Sequence, residues 1–158
     1  LYITGRIKEI YVSSGGKNIA PLVIEETMKS IPIISQCFLV GDKRKYCSAL
    51  FTLDVGAILR DKLGIETLKI PKDPFQQIKM LETMDKKLID YTGNQHIRNE
   101  INDRVEELNQ KFSNPEQIKK FAILPRDFSI DFGELTPTLK IRRKQITENW
   151  LKEIESLY

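Results

Sequence analysis

Apolar positions recur along this chain with two periods, and the switches between them mark its elements. Residues 33–40 and 47–53 are near-continuous runs of β-branched, aromatic and aliphatic side chains. With Gly41-Asp42-Lys43-Arg44-Lys45 between them, they predict a central β-hairpin with a basic tip. Two shorter β-type runs, 1–4 and 10–13, come first. They lead into Ser13-Ser14-Gly15-Gly16-Lys17-Asn18, a loop whose residues tolerate unusual backbone angles. Residues 118–124 read as a further strand, with Lys119 and Lys120 on opposite faces.

The remaining apolar residues follow the helical period. Pro21 opens a helix that carries Ile24, Met28 and Ile31 on one face and stops at Pro32. Asp54 is placed to cap a helix over 55–63, with Gly64 as its stop. Ile78, Leu81, Met84, Leu88 and Tyr91 make one stripe, which predicts a single long helix ending at Gly93. Ile97, Ile101, Val105, Leu108 and Phe112 make a second stripe behind the cap residue Asn94. Both read as core-facing rather than as partner surfaces. Ile146, Trp150, Ile154 and Leu157 give a terminal helix, to which Glu148 and Lys152 add an i,i+4 pair. The expected architecture is α+β: a small mixed sheet with flanking helices and an N-terminal hairpin.

Composition narrows the classes of function. A chain of 158 residues suits one domain, and 41% apolar against 30% charged residues is an ordinary balance that argues against disorder. The net charge of +3 is too small to indicate a nucleic-acid binder. No apolar run approaches the roughly 20 residues of a membrane span, and no signal peptide is visible. Cys37 and Cys47 lie in strand-like runs and read as buried free thiols of a reducing compartment. His96 has no Cys or His companion, so a metal site is not expected. Glu25 and Glu26 read as acids suited to a helix N-terminus rather than as a catalytic pair. Leu1 stands where an initiating methionine would be, so the chain reads as a piece of something longer.

Two stretches carry candidate chemistry. Ser13 to Asn18 is not a P-loop, because Asn18 follows the lysine where that motif needs Ser or Thr. Leu135-Thr136-Pro137-Thr138-Leu139-Lys140-Ile141-Arg142-Arg143-Lys144 holds a lysine at the tip of a turn. Pro137 fixes its own φ and extends Thr136, and Gly133 lets the chain bend upstream. Two readings fit: a solvated basic start to the terminal helix, or a cation that reaches into a phosphate site built elsewhere. Lys43, Arg44 and Lys45 invite the same choice, with a solvated turn preferred.

Residues 4–25, from Thr4-Gly5-Arg6-Ile7-Lys8-Glu9 through Ser14-Gly15-Gly16-Lys17-Asn18-Ile19-Ala20-Pro21 to Glu25, resemble the domain-junction motif of acyl-adenylate-forming enzymes. Gly133-Glu134-Leu135-Thr136-Pro137-Thr138-Leu139-Lys140-Ile141 resembles their C-terminal lysine motif. The phrasing of both is nearest to long-chain fatty acyl-CoA synthetases of the bubblegum type. Many members write the motif Pro-x-Thr-x-x-Gly-Lys; here Glu134 replaces the proline and Leu139 the glycine.

The resemblance implies that residues 1–158 are the mobile C-terminal lid of such a ligase. A large N-terminal domain, expected outside these residues, would hold ATP, Mg2+ and the acyl chain. Lys140 would act at the α-phosphate during adenylation. Ser14, Gly15, Gly16 and Lys17 would face CoA in the second step, Arg6 would contact nucleotide, and Lys8 would be the hinge. The implied partners are that domain, a fatty acid, ATP and CoA, with no nucleic acid. The implied setting is cytoplasmic, and any membrane association would come through the other domain. The alternatives are a lid from a relative with another acid or thiol acceptor, and a non-catalytic anion-binding module.

Overall fold

The computed structural model describes residues 10–158. The run 1–4 and the residues Arg6 and Lys8 lie outside the described residues. A short antiparallel hairpin, β1 (Tyr11–Val12) and β2 (Asn18–Ile19), pairs Tyr11 with Ile19. α1 (Pro21–Met28) follows with Pro21 in its first turn, where the missing N–H costs nothing. β3 (Ile34–Val40) and β4 (Cys47–Leu53) form the expected central hairpin. α2 (Val55–Ala57) is capped by Asp54, whose carboxylate accepts from the Ala57 N–H, and widens into a π-turn at Ile58–Lys62. Then come α3 (Pro74–Thr83), α4 (Ile89–Thr92), α5 (Gln95–Asn109), β5 (Ile118–Ile123), α6 (Arg143–Asn149) and α7 (Leu151–Glu155).

The three long strands make one mixed sheet in the order β3-β4-β5, with β3 antiparallel and β5 parallel to β4. Every residue of β4 is buried, as a central strand covered on both faces requires. Alternate residues point to opposite faces and meet different cores. Cys37, Leu39, Ala49, Phe51 and Phe121 join a core closed by Ile24 and Met28 of α1, Leu81 of α3, and Ile97, Ile101 and Val105 of α5. Phe38, Val40, Leu50 and Leu124 join a second core closed by Phe128, Leu135, Ile146, Trp150, Ile154 and Leu157. The helices therefore form layers on both faces of the sheet. The lysine loop is rooted in the second layer.

The chain departs from the sequence reading at several points. The stripe from Ile78 to Tyr91 is not one helix. α3 stops at Thr83, Asp85 takes a left-handed φ of 59°, and the Asp90 carboxylate accepts from the Lys87 N–H before α4 begins. Local side-chain bonding of this kind competes with helix continuation. α1 ends at Met28 rather than at Pro32. The amides of Ser30 and Ile31 bond three residues back, since the residue before a proline is disfavoured in the helical region. The terminal helix breaks at Trp150 (φ −118°, ψ 27°), although its stripe is buried throughout. A bulge interrupts the alternation expected at Lys119 and Lys120. Ile118 pairs with Cys47 and Lys120 with Ser48, so Lys119 is the extra residue, and both lysines are exposed.

Candidate functional site

Lys140 stands at the tip of a narrow loop whose backbone closes on itself. Leu135 and Ile141 form an isolated antiparallel bridge. The Thr136 N–H donates to the Lys140 carbonyl at 2.8 Å, and the Leu139 N–H donates to the Thr136 carbonyl at 2.7 Å. The Lys140 N–H donates to Thr136 Oγ1 at 3.1 Å, and Thr136 Oγ1 lies 3.0 Å from Thr138 Oγ1. Leu139 closes the turn with φ 66°, a left-handed angle uncommon for a leucine, at the position where the resembled motif has glycine. Gly133 also takes a positive φ, 74°, as the expected bend requires. The Lys140 side chain is exposed, and its Nζ meets no hydrogen-bond acceptor or carboxylate among the described residues.

The root of this loop is Glu134, a carboxylate with no solvent exposure. Burial by itself would raise its pKa. Donors from Arg126, Asn149, Trp150 and the Ser129 amide outweigh burial and hold it below the usual carboxylate range. Arg126 binds it in fork geometry at 2.7 and 3.0 Å, and Trp150 Nε1 donates at 2.7 Å. The Arg126 guanidinium lies 3.9 Å from the Phe132 ring centroid and 4.8 Å from that of Trp150.

Ser14, Gly15, Gly16 and Lys17 form the exposed tip between β1 and β2. The Ser13 N–H donates to the Lys17 carbonyl at 2.9 Å and the Lys17 N–H to Ser13 Oγ at 3.1 Å. Gly16 has φ 85° with open space where a Cβ would be, so backbone freedom, not crowding, is what requires glycine there. The tip leans on the turn between β3 and β4. The Ser14 N–H donates to the Arg44 carbonyl at 3.0 Å and the Lys43 N–H to the Val12 carbonyl at 2.7 Å. Of the basic residues on that turn, Arg44 is committed to Glu155 at 2.7 Å and to the Tyr158 ring, while Lys43 and Lys45 are exposed.

A buried ion pair joins the two loop systems. Arg143 donates from both terminal nitrogens to Glu25, at 2.7 Å each, and from Nη1 to the Tyr11 hydroxyl at 3.1 Å. Glu25 also accepts from the Leu39 N–H at 2.7 Å, and Tyr11 donates to the Leu39 carbonyl at 2.9 Å. Tyr11 lies on β1 and Arg143 opens α6, so the glycine hairpin and the helix behind Lys140 share one anchor on β3. The assignment of Glu25 to a helix N-terminus is therefore corrected. It sits beyond the first turn of α1 and is neutralised by a residue 118 positions away. Neither Arg143 nor the Glu134 hub was singled out from the sequence as a working group. The one available signal was that Glu134 departs from the resembled motif.

Both thiols are buried. Burial pushes Cys37 well up and Cys47 to about 11, and both are free. Among the described residues no group of three His, Cys, Asp or Glu side chains stands together to hold a metal. No helix there is long and apolar enough to cross a membrane.

The fold matches one part of solved adenylation domains. The adenylation domain of a carboxylate reductase from Mycobacterium chelonae matches with a TM-score of 0.64 over 97% of this chain and 20% of that one, at 18% identity. The adenylation–carrier didomain of a carboxylic acid reductase from Segniliparus rugosus matches with 0.63 over 96% and 17%, also at 18% identity. The chain is homologous to long-chain fatty acid–CoA ligases, the bubblegum type included. It is 38% identical over 158 residues to the long-chain-fatty-acid–CoA ligase FadD15 of Mycobacterium tuberculosis, covering 100% of this chain and 24% of that protein. It is 38% identical over 160 residues to ACSBG2 of Mus musculus, with 24% of that protein covered, and 36% identical over 163 residues to ACSBG1 of Homo sapiens, with 22% covered. The chain thus spans about a quarter of the length of the curated relatives it matches. No family model matches it.

Proposed function

We propose that this chain is the C-terminal lid of a long-chain fatty acid–CoA ligase, with Lys140 as its adenylation lysine. In the first step a carboxylate oxygen of the fatty acid attacks the α-phosphorus of ATP, and pyrophosphate leaves. Negative charge grows on the phosphoryl oxygens as that bond forms. A preorganised ammonium presented to them stabilises the transition state more than the ground state. In the second step the CoA thiol attacks the acyl carbon and AMP leaves, with the proton of the thiol passing to solvent or a base. Ser14, Gly15, Gly16 and Lys17 then face the pantetheine arm, and Lys140 is withdrawn. Arg6 contacts the nucleotide, and Lys8 lies at the hinge about which the lid turns. ATP and Mg2+ bind mainly to the large domain, so residues 1–158 alone are inactive.

The observation that carries this reading is the state of Lys140: an exposed ammonium with no counter-charge among the described residues, on a loop whose own backbone hydrogen bonds fix its shape. Other lysines of the chain are exposed too, but Lys140 is the one that stands in the loop resembling the lysine motif, while Arg143 and Arg126 are held by carboxylates of the domain. The test is Lys140→Ala in the full-length ligase, with the two half-reactions measured separately. Adenylation, read as acid-dependent pyrophosphate exchange, should slow about 10²–10³-fold, the usual cost of removing one transition-state donor. Thioester formation from supplied acyl-adenylate should persist. An equal loss in both steps would refute the assignment.

A further inference from the structure

We propose that Glu134 is a positioning residue for Lys140: a buried carboxylate that transmits the placement of α6 and α7 to the exposed tip of the lysine loop. The proposal rests on the reading of Lys140 given above.

The bonds within the loop set its shape but not where the domain holds its tip. Pro137, Thr138, Leu139 and Lys140 are all exposed, so no apolar packing holds them, and Leu139 keeps a left-handed φ of 66°. A strained residue persists only where its surroundings over-determine it. Its constraints lie within the loop and at the root. Within the loop they are the Leu135–Ile141 bridge and the pairing of Thr136 with Lys140. At the root, the Glu134 carbonyl accepts from the Arg142 N–H at 2.8 Å, and the Glu134 N–H donates to the Ser129 carbonyl at 3.0 Å. Both strands of the loop therefore meet at Glu134.

The side chain of Glu134 fixes that junction. Its oxygens take two bonds from Arg126, one from the Ser129 N–H at 3.2 Å, one from Asn149 Nδ2 at 3.0 Å and one from Trp150 Nε1 at 2.7 Å. Five donors fill the roughly four acceptor sites of a carboxylate. Core stability alone does not call for such an arrangement, because apolar side chains of similar volume usually serve as well as a buried ion pair. What a saturated, directional hub provides is a single geometry. It bonds the loop root to the junction of α6 and α7 and to the segment ending at Ser129. Asn149 also donates to the Phe132 carbonyl at 3.1 Å, which fixes the turn that precedes Gly133. A displacement of Glu134 would be carried to Lys140, and an error of about 1 Å at a reacting group can cost about 10²-fold in rate.

The experiment uses the full-length ligase with Glu134→Gln, Asn149→Ala, Lys140→Ala and the double variant Glu134→Gln with Lys140→Ala. Glu134→Gln should slow adenylation by about tenfold or more, leave thioester formation from supplied acyl-adenylate within about twofold, and cost nothing further on the Lys140→Ala background. Asn149 is exposed, so Asn149→Ala should fold normally and show a smaller loss in the same step. Hydrogen exchange should quicken at the amides of Thr136, Lys140 and Arg142 and not in β4. The proposal is overturned if Glu134→Gln and Asn149→Ala leave adenylation within twofold while Lys140→Ala slows it about 10²-fold or more. It is equally overturned if they slow both half-reactions alike, or if the losses multiply in the double variant. A normal adenylation rate in Lys140→Ala would instead overturn the reading on which the proposal rests.

Discussion

Glu25→Gln tests the buried pair that ties the glycine hairpin to α6. The glutamine keeps an oxygen for the Leu39 N–H, which the carboxylate now binds at 2.7 Å, so the backbone donor stays satisfied. What is lost is the negative charge facing Arg143 and the second acceptor oxygen, whose place is taken by an NH2 group that cannot accept from Arg143 Nη2. Removing one partner of a buried pair costs about 3–5 kcal/mol, because the other charge is left in a poorly solvating site. The Arg143 side chain retains 16% exposure, so the lower end applies and the expected loss is about 3 kcal/mol. Arg143→Met leaves a carboxylate that is 2% exposed, and its cost belongs at the upper end, about 4–5 kcal/mol. The double variant removes both charges of the pair and should be more stable than Arg143→Met alone. The assay is urea unfolding of the chain at pH 7, with all four corners of the cycle compared at constant m-value. A loss below about 1 kcal/mol in Glu25→Gln, or a double variant whose loss equals the sum of the singles, would refute the reasoning.

Two further outcomes follow from the lysine loop. Leu139→Gly should stabilise the chain by up to about 1 kcal/mol in urea, since the left-handed strain of about 1–2 kcal/mol exceeds the entropic cost of glycine. Leu139 is 62% exposed and buries little that the change would forfeit; a destabilised variant would contradict this. Glu134 contributes to the acid limb. Its pKa is lower folded than unfolded, so its stabilisation is fully present above the unfolded carboxylate pKa near 4.3 and is lost as pH falls through the folded value. Stability followed by circular dichroism should therefore fall less steeply below about pH 4.3 in Glu134→Gln than in the natural chain. Parallel acid limbs would show that this carboxylate contributes nothing to them.

Much of the architecture could be read from the chain because its signals are local. The apolar runs at 33–40 and 47–53 became β3 and β4, and Asn94 caps α5 by accepting from the His96 and Ile97 amides. Pro21 opened its helix and Gly64 closed the π-turn with φ 70°. Periodicity misled where it ran through a break. Leu81 is fully buried and Leu88 and Tyr91 pack against the same core, yet the chain turns between them at Asp85. A stripe reports which residues face the core and is blind to a turn that keeps them there.

The same boundary runs through the candidate site. Sequence by itself determined the three long strands, the helices begun at Pro21 and Asn94, the exposed glycine tip and the place of Lys140 on a turn, because propensity, caps and prolines act over a few residues. Tertiary structure alone decided which charges are spent inside the domain and which stay in solvent. Arg143 and Lys140 look alike in a basic run, but one is held by Glu25 across 118 positions and the other meets solvent. Pairing at that separation depends on how the layers pack, and no local pattern encodes it.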